Sequence, residues 1–150
     1  MKIEKGIKPN EIAKMLDYSY KFFNKVISKE NFDAHVLSVT NFSLSARLIT
    51  DAGKVKGIYL IGTNKLSNYV VLPELDGLIG VEGVLLAIDE DIRGLGFGNS
   101  LKDYPKSIGV DYIWGQQFKA LNNLQDWLKR RVLVHETEDI YFTLENFKIL

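Results

Sequence analysis

The stretch VLLAIDEDIRGLGFGN, residues 84–99, decides the fold of this 150-residue chain. Its first five residues are apolar without interruption, a pattern typical of a strand buried on both faces. Three glycines then follow at alternate positions, Gly94, Gly96 and Gly98, and they allow the backbone to turn tightly into a helix. Such a turn presents unpaired N–H groups beside the positive end of the helix dipole. The stretch therefore predicts a site for a phosphate group.

The spacing of the glycines distinguishes between three known patterns of phosphate-binding loop. A Walker-type loop needs a lysine after its last glycine, but Asn99 follows Gly98. The dinucleotide pattern Gly-x-Gly-x-x-Gly begins at Gly94 and meets Asn99 where it needs a third glycine. The pattern Arg/Gln-x-x-Gly-x-Gly/Ala is satisfied by Arg93, Gly96 and Gly98. This last pattern resembles the acetyl-coenzyme A loop of the GNAT (Gcn5-related N-acetyltransferase) superfamily.

The elements expected after the loop are similar in order to those of that family. A helix is expected over residues 99–107, with Gly109 as its left-handed C-terminal cap, followed by a strand over 110–118. We expect a last helix from Asn122-Asn123 through Arg131, and a hairpin formed by 132–135 and 140–144. The resemblance implies an α+β, three-layer fold, with a mixed, mostly antiparallel sheet of six to seven strands flanked by helices.

The first half of the chain matches the family only in the order of its elements. We expect a strand over 3–7, a helix from Asn10 to about residue 28, and strands over 42–50 and 54–61. Four aromatic residues at the end of the predicted helix either pack in the core or wall an acceptor pocket. They are Tyr18, Tyr20, Phe22 and Phe23.

Composition limits the classes of function. The length predicts a single domain over residues 1–150, and 19 acidic residues balance 19 basic ones, so neither nucleic acid nor a membrane surface is an expected partner. Cysteine is absent, which excludes disulfides, thiolate metal sites and a cysteinyl acyl-enzyme. His35 and His135 lie far apart, so no metal is expected. The N-terminus has no apolar signal-peptide core, and we expect a cytoplasmic protein.

The resemblance implies an acetyl-CoA-dependent N-acetyltransferase that transfers the acetyl group directly to a primary amine in a ternary complex. Acetyl-CoA is then the cosubstrate, the acceptor is a small-molecule or peptide amine, and a homodimer is possible. The alternative is an acyl-CoA-binding module with weak or no catalytic activity. A third interpretation is a nucleotide-binding interaction domain, which the two failed phosphate patterns weaken.

Glu82, just before the apolar run, is the candidate general base, by resemblance to histone-acetylating members of the family. A partly buried carboxylate has a raised pKa, as a base near neutrality requires; a solvent-facing loop position is the rival interpretation. The resemblance also implies that a strand amide near Leu86, Ala87 or Ile88 binds the thioester oxygen. The predicted pyrophosphate site consists of Arg93, Gly94, Leu95, Gly96, Phe97, Gly98 and Asn99. By resemblance, Asn122 or Asn123 contacts the pantetheine arm, or else it only caps a helix.

The general acid is not identified by the sequence. Many relatives carry a tyrosine seven residues after the asparagine, where this chain has Lys129 or Arg130. Either Tyr104, Tyr112 or Tyr141 acts from elsewhere, or the thiolate leaves to solvent, or catalysis is weak. Acidic residues could give the acceptor side a negative field, although a solvated loop explains them equally well. They are Glu74, Asp76, Glu82, Asp89, Glu90 and Asp91.

Overall fold

The computed structural model describes residues 1–122 and 124–148 and contains one seven-stranded sheet in the order β1-β2-β3-β4-β5-β7-β6. All neighbouring strands are antiparallel except β4 and β5, which run parallel. The predicted mixed, mostly antiparallel sheet of six to seven strands is therefore confirmed. The strands are β1 (Lys2–Lys5), β2 (Ala46–Ile49), β3 (Val55–Gly62), β4 (Gly80–Ile88), β5 (Tyr112–Phe118), β6 (Val132–Glu136) and β7 (Ile140–Asn146).

The central pair of strands separates part of the way along. Strands β4 and β5 pair only at Gly80 with Tyr112, Val81 with Ile113, and Glu82 with Trp114. In β4 the register against β3 shifts between positions 83 and 85, so Val84 is an extra, bulged residue. A bulge bends its strand and increases the local twist. Beyond the three paired residues, which we name the seam, the two strands diverge and leave an opening that we name the fork.

Helices cover both faces of the sheet. Alternate residues of β3 face opposite sides, because side chains alternate along a strand. Ile58 and Leu60 pack in the cluster that contains the first two helices, whereas Tyr59 and Ile61 pack in the cluster that contains the third. The helices are α1 (Pro9–Tyr20), α2 (Lys29–Val39), α3 (Phe97–Ser107) and α4 (Leu124–Trp127). No helix of the described chain is long and apolar enough to cross a membrane.

Three helix predictions need correction. The helix predicted from Asn10 to about residue 28 is wrong: α1 ends at Tyr20, and Ser28 instead caps α2 by accepting a hydrogen bond from the Asn31 amide at 3.2 Å. The last helix ends at Trp127 rather than Arg131, because the Arg131 amide donates to the Trp127 carbonyl in a closing turn. Helix α3 begins two residues before the predicted start.

Strand β4 also differs from its prediction. The apolar run 84–88 was expected to be buried on both faces, but only Leu85 and Ala87 are fully buried. Val84, Leu86 and Ile88 are half-buried, and all five residues of the run line the open cavity at the fork. The other elements agree with the sequence to within a few residues. The expected left-handed cap at Gly109 has φ 79°, and the closing hairpin is formed by β6 and β7.

Candidate active site

A cavity of about 930 Å³ passes through the fork and opens toward both faces of the sheet. At one end it reaches Arg93, Gly94 and the first residues of α3. On the α1–α2 side of the sheet it is lined by apolar residues of the segment 18–36 and by Phe118, with Tyr18 and Phe22 beside Arg93. Glu82 lies at the apex of the fork, where the seam ends. The fork therefore joins the predicted phosphate loop to the predicted base in one continuous space.

The glycine loop leaves a row of amides without protein acceptors. Gly94 and Gly96 have φ values of 81° and 88°, a left-handed conformation that favours glycine. A Cβ atom at either position would meet nothing within 4 Å, so it is the backbone conformation and not crowding that requires glycine. Within the described residues, the amides of residues 95–99 donate to no protein group. Because α3 begins here, these N–H groups lie at the positive end of its dipole.

Cations surround this end of the cavity. Arg93 is exposed, and its guanidinium lies 5.4 Å from the ring centroid of Tyr18 and 5.5 Å from that of Phe22. Lys102 and Lys129 line the same cavity. Free amides, a helix N-terminus and the side-chain cations of Arg93 and Lys102 are groups of the kind that bind phosphate in proteins. The loop thus fits the diphosphate of a coenzyme A.

Glu82 is buried, with 4% of its surface exposed. Its carboxylate accepts hydrogen bonds from Gln116 Nε2 at 3.0 Å and from Asn64 Nδ2 at 3.3 Å. Burial raises the pKa of Glu82, and the two amide donors and the nearby His35 oppose that shift without cancelling it. The predicted alternative of a solvent-facing loop glutamate is wrong, because Glu82 lies within β4 at the bottom of the cavity.

The backbone of β4 beyond the seam has one free edge. Leu86, Ala87 and Ile88 pair with Tyr59, Ile58 and Gly57 of β3. In an antiparallel pair, the amides of alternate residues point away from the partner strand. On that side β5 is no longer paired with β4, so these amides face the fork. A donor for a thioester oxygen is therefore available along this edge.

The asparagine predicted for the pantetheine arm is largely engaged within the protein. Asn122 Nδ2 donates to the Phe118 carbonyl at 2.8 Å, and Asn122 Oδ1 accepts from Trp127 Nε1 at 3.0 Å. One amide hydrogen of Asn122 remains for a ligand, and the residue lines the cavity. The other predicted asparagine, Asn123, lies outside the described residues.

None of the three tyrosines considered as the general acid lines the cavity. Tyr104 donates to the Leu44 carbonyl at 2.5 Å in a separate hollow between β1 and α3, and burial raises its pKa to about 12. Tyr112 packs against Gly80 and Tyr141 lies under Lys119. The cavity is instead lined by Tyr59 and Arg131, and the Arg131 guanidinium donates to the Tyr59 hydroxyl oxygen. Sequence reasoning missed this pair, because Tyr59 lies in an apolar run whose pattern indicates only a buried strand.

Three of the six acidic residues expected to give a negative field are paired with lysines. Lys56 lies 2.6 Å from Asp91 and 3.6 Å from Asp89, and Lys21 lies 2.7 Å from Glu90. Glu74 and Asp76 are exposed and do not line the cavity. Among the described residues that line the cavity, Glu82 is therefore the one carboxylate without a cationic partner, because Asp126 is paired with Lys129 and Glu145 with Arg130. Within the described residues, no group of three or more His, Asp or Glu side chains is arranged to hold a metal ion.

The aromatic cluster of the first helical region divides between the core and the cavity. Tyr20 and Phe23 pack against the buried ring of Phe32. Tyr18 and Phe22 line the cavity, and Phe22 is 49% exposed. The Tyr18 hydroxyl is buried and has no hydrogen-bond partner among the described residues. The α1–α2 side of the cavity is therefore an apolar, aromatic wall that begins beside Arg93, and the Tyr18 hydroxyl is a polar group without a protein partner there among the described residues.

No family model and no curated protein matches the sequence. Solved structures do match its fold. A GNAT-family acetyltransferase from Listeria monocytogenes is 10% identical, with a TM-score of 0.68 over 97% of this chain and 94% of that one. The arylalkylamine N-acetyltransferase 2 of Aedes aegypti is 11% identical, with a TM-score of 0.66 over 97% and 98% of the two chains.

A PaiA N-acetyltransferase from Thermoplasma acidophilum, solved in complex with coenzyme A, is 9% identical, with a TM-score of 0.62 over 97% and 99% of the two chains. These likenesses extend over nearly the whole chain, whereas the sequence resemblance covers mainly the last part. The chain therefore has the fold of the GNAT acetyltransferases.

Proposed function

We propose that this protein is an acetyl-CoA-dependent N-acetyltransferase that transfers the acetyl group directly to a primary amine. The observation that supports it most is the continuity of the cavity, which joins the free amides of residues 95–99 to Glu82 through the fork. A coenzyme A thioester supplies an activated acyl group when bound. The residues that would hold it are the loop from Arg93 to Asn99, the free edge of β4, and Asn122.

Glu82 is proposed to accept the proton of the attacking amine, either directly or through a water. Its raised pKa supports this role, because a carboxylate with increased proton affinity is a better base near neutrality. The Gln116 and Asn64 amides hold its two oxygens in place. An amine that enters from the α1–α2 face would meet Glu82 at the apex of the fork.

The acceptor is proposed to be a primary amine that carries an apolar or aromatic group. The α1–α2 side of the cavity is lined by Tyr18, Phe22, Ile27 and Phe118, and the neighbouring acids Glu90 and Asp91 are paired with lysines. A polycation would gain little from such a wall, because Glu82 is its one unpaired carboxylate. An aryl or alkyl group would bury apolar surface there.

Two measurements test the proposal. Acetyl-CoA at a hundredfold excess over its Kd should stabilise the protein by about 2.7 kcal/mol, which shifts the Tm by roughly 2–8 °C for a domain of this size. Release of free thiol should then follow when amines are added. A Tm shift with ATP or NAD instead of acetyl-CoA would contradict the assignment, and a shift without thiol release from any amine would favour a binding module.

A further inference from the structure

Tyr59 and Arg131 meet at the fork, on the face of the sheet opposite Glu82. The Tyr59 hydroxyl oxygen accepts a hydrogen bond from Arg131 Nη2 at 3.2 Å. Tyr59 is 4% exposed, and both residues line the cavity. A Cβ atom built at Gly83 would lie 2.9 Å from the Tyr59 hydroxyl oxygen, so this oxygen contacts the first residue of β4 beyond the seam.

The Tyr59 hydroxyl accepts a hydrogen bond, but its own proton has no acceptor among the described residues. A phenol has one O–H donor, and its oxygen also accepts. Arg131 occupies the oxygen as a donor, and within residues 1–122 and 124–148 no acceptor for the Tyr59 O–H is found. Buried donors are nearly always paired in proteins. A free O–H that lines a cavity therefore points to an acceptor group on a ligand.

Arg131 is held in place by neutral groups. Its Nη1 donates to Thr143 Oγ1 at 3.4 Å, and its guanidinium lies 5.3 Å from the ring centroid of Trp127. No carboxylate of the described chain forms an ion pair with it; Glu145, the acid nearby, is paired with Arg130 at 3.3 Å. The charge of Arg131 is thus directed at the Tyr59 oxygen.

We propose that Tyr59 donates its proton to the departing sulfur of the acyl donor, with Arg131 as the residue that positions and polarises it. This inference rests on the proposed acetyltransferase function. As the amine nitrogen bonds to the carbonyl carbon, the carbon–sulfur bond breaks and its electron pair stays on sulfur. The Tyr59 proton passes to that sulfur and gives a thiol, and Glu82 receives the amine proton. The proton on Glu82 then returns through cavity water to the Tyr59 phenolate.

The burial of Tyr59 and the charges around it favour this proton transfer. Burial raises the pKa of the Tyr59 phenol, so the proton is present at neutral pH. Arg131 and, more weakly, Arg130 oppose this shift, and Glu145 adds to it. Arg131 therefore stabilises the phenolate at the moment when it forms. The base and the acid lie on opposite faces of one sheet, as expected if amine and acyl donor enter from opposite sides.

Binding of coenzyme A and of desulfo-coenzyme A, which lacks the sulfur, tests this role without turnover. Calorimetry on the wild type should show tighter binding of coenzyme A than of desulfo-coenzyme A, because Tyr59 hydrogen-bonds to the sulfur. Tyr59→Phe keeps the ring and its packing and should remove that preference, about tenfold in Kd, while the Kd for desulfo-coenzyme A stays unchanged. Arg131→Gln should reduce the same preference. Tyr69→Phe and Lys106→Gln remove a phenol and a cation outside the cavity and should leave it intact.

Activity provides the second readout. Tyr59→Phe should lower kcat by about 10²-fold or more and remove the alkaline limb of the pH profile. Guanidine in the buffer should partly restore an Arg131→Ala variant. A preference for coenzyme A that survives in Tyr59→Phe, or unchanged kcat in that variant, would overturn the assignment of Tyr59. If the wild type binds neither coenzyme A nor desulfo-coenzyme A, the proposed function fails first, so the two failures are distinguishable.

Discussion

The two ends of the cavity present different chemistry to whatever binds there. The α3 end consists of main-chain amides and cations, with Arg93 and the unbonded N–H groups of residues 95–99. The aromatic end consists of side chains on the α1–α2 side, which reach Arg93 at Tyr18 and Phe22, and among the described residues Glu82 is its one carboxylate without a cationic partner. Backbone groups recognise any diphosphate, whereas side chains select by shape. We therefore expect the first end to bind the acyl donor and the second to select the acceptor.

The largest expected effect concerns the apex between the two ends. Glu82→Gln should lower kcat by about 10²–10⁴-fold, the usual contribution of a general base, while the Kd for acetyl-CoA stays within about twofold. Steady-state kinetics and calorimetry on the same preparation check both values. Glu138→Gln, which removes an exposed carboxylate in the β6–β7 turn, is the matched control. Unchanged turnover in Glu82→Gln would remove this residue from the mechanism.

The α3 end is tested by Gly96→Val. A β-branched residue is strained at φ 88°, so the loop should rearrange and the Kd for acetyl-CoA should rise about tenfold or more. Gly53→Val is the control, because Gly53 also has a positive φ, 81°, and open space around its Cβ position. Both variants should lose about 1–3 kcal/mol of stability. Only Gly96→Val should lose coenzyme affinity; equal affinities would contradict the loop assignment.

The aromatic end is tested by Phe22→Ala. Loss of this wall should lower kcat/KM for an arylalkylamine by about tenfold and leave kcat/KM for spermidine nearly unchanged. Val71→Ala, a truncation at a side chain that is 75% exposed away from the cavity, is the control. The Kd for acetyl-CoA is measured alongside, because the Arg93 guanidinium lies 5.5 Å from the Phe22 ring. A higher kcat/KM for spermidine than for arylalkylamines in the wild type would contradict the proposed acceptor class.

The smallest effect concerns stability and pH. Because the pKa of Glu82 is raised in the folded protein, the folded state holds this proton more tightly than the unfolded state. Glu82 therefore reduces stability as pH rises from the unfolded pKa through the folded one. Glu82→Gln should be more stable than the wild type at about pH 8, by on the order of 1 kcal/mol, and the gain should shrink near pH 4. Denaturant midpoints of Glu82→Gln and the wild type at the two pH values measure this gain in stability. A gain that is larger at the lower pH would contradict the raised pKa of Glu82.

The contrast between a local backbone pattern and contacts of distant side chains also explains which parts of the site could be predicted from the sequence. The phosphate loop is a local pattern, in which Arg93, Gly96 and Gly98 lie within six residues, so spacing alone predicts it. The contact between Tyr59 and Arg131 joins positions 72 residues apart, and no local pattern indicates it. Glu82 was identified by its place before an apolar run, but its donors Asn64 and Gln116 come from other elements.

The first helix was predicted too long for a related reason. The apolar spacing continues past Tyr20 toward Ile27, but the chain turns there so that Phe23 can pack against Phe32 of α2. Tertiary packing overrides periodicity at such a point. The closing hairpin and the Gly109 cap depend on neighbours in sequence, and both were predicted correctly.

The shortness of the seam has a mechanical consequence. Strands β1 to β4 form one ribbon and β5 to β7 another, and only three residue pairs of parallel ladder join the two. An extended chain that lies in the fork can hydrogen-bond to both free edges and thereby act as an eighth strand. Such a ligand would then tie the two ribbons together, and amide hydrogen exchange along both edges should slow when it binds.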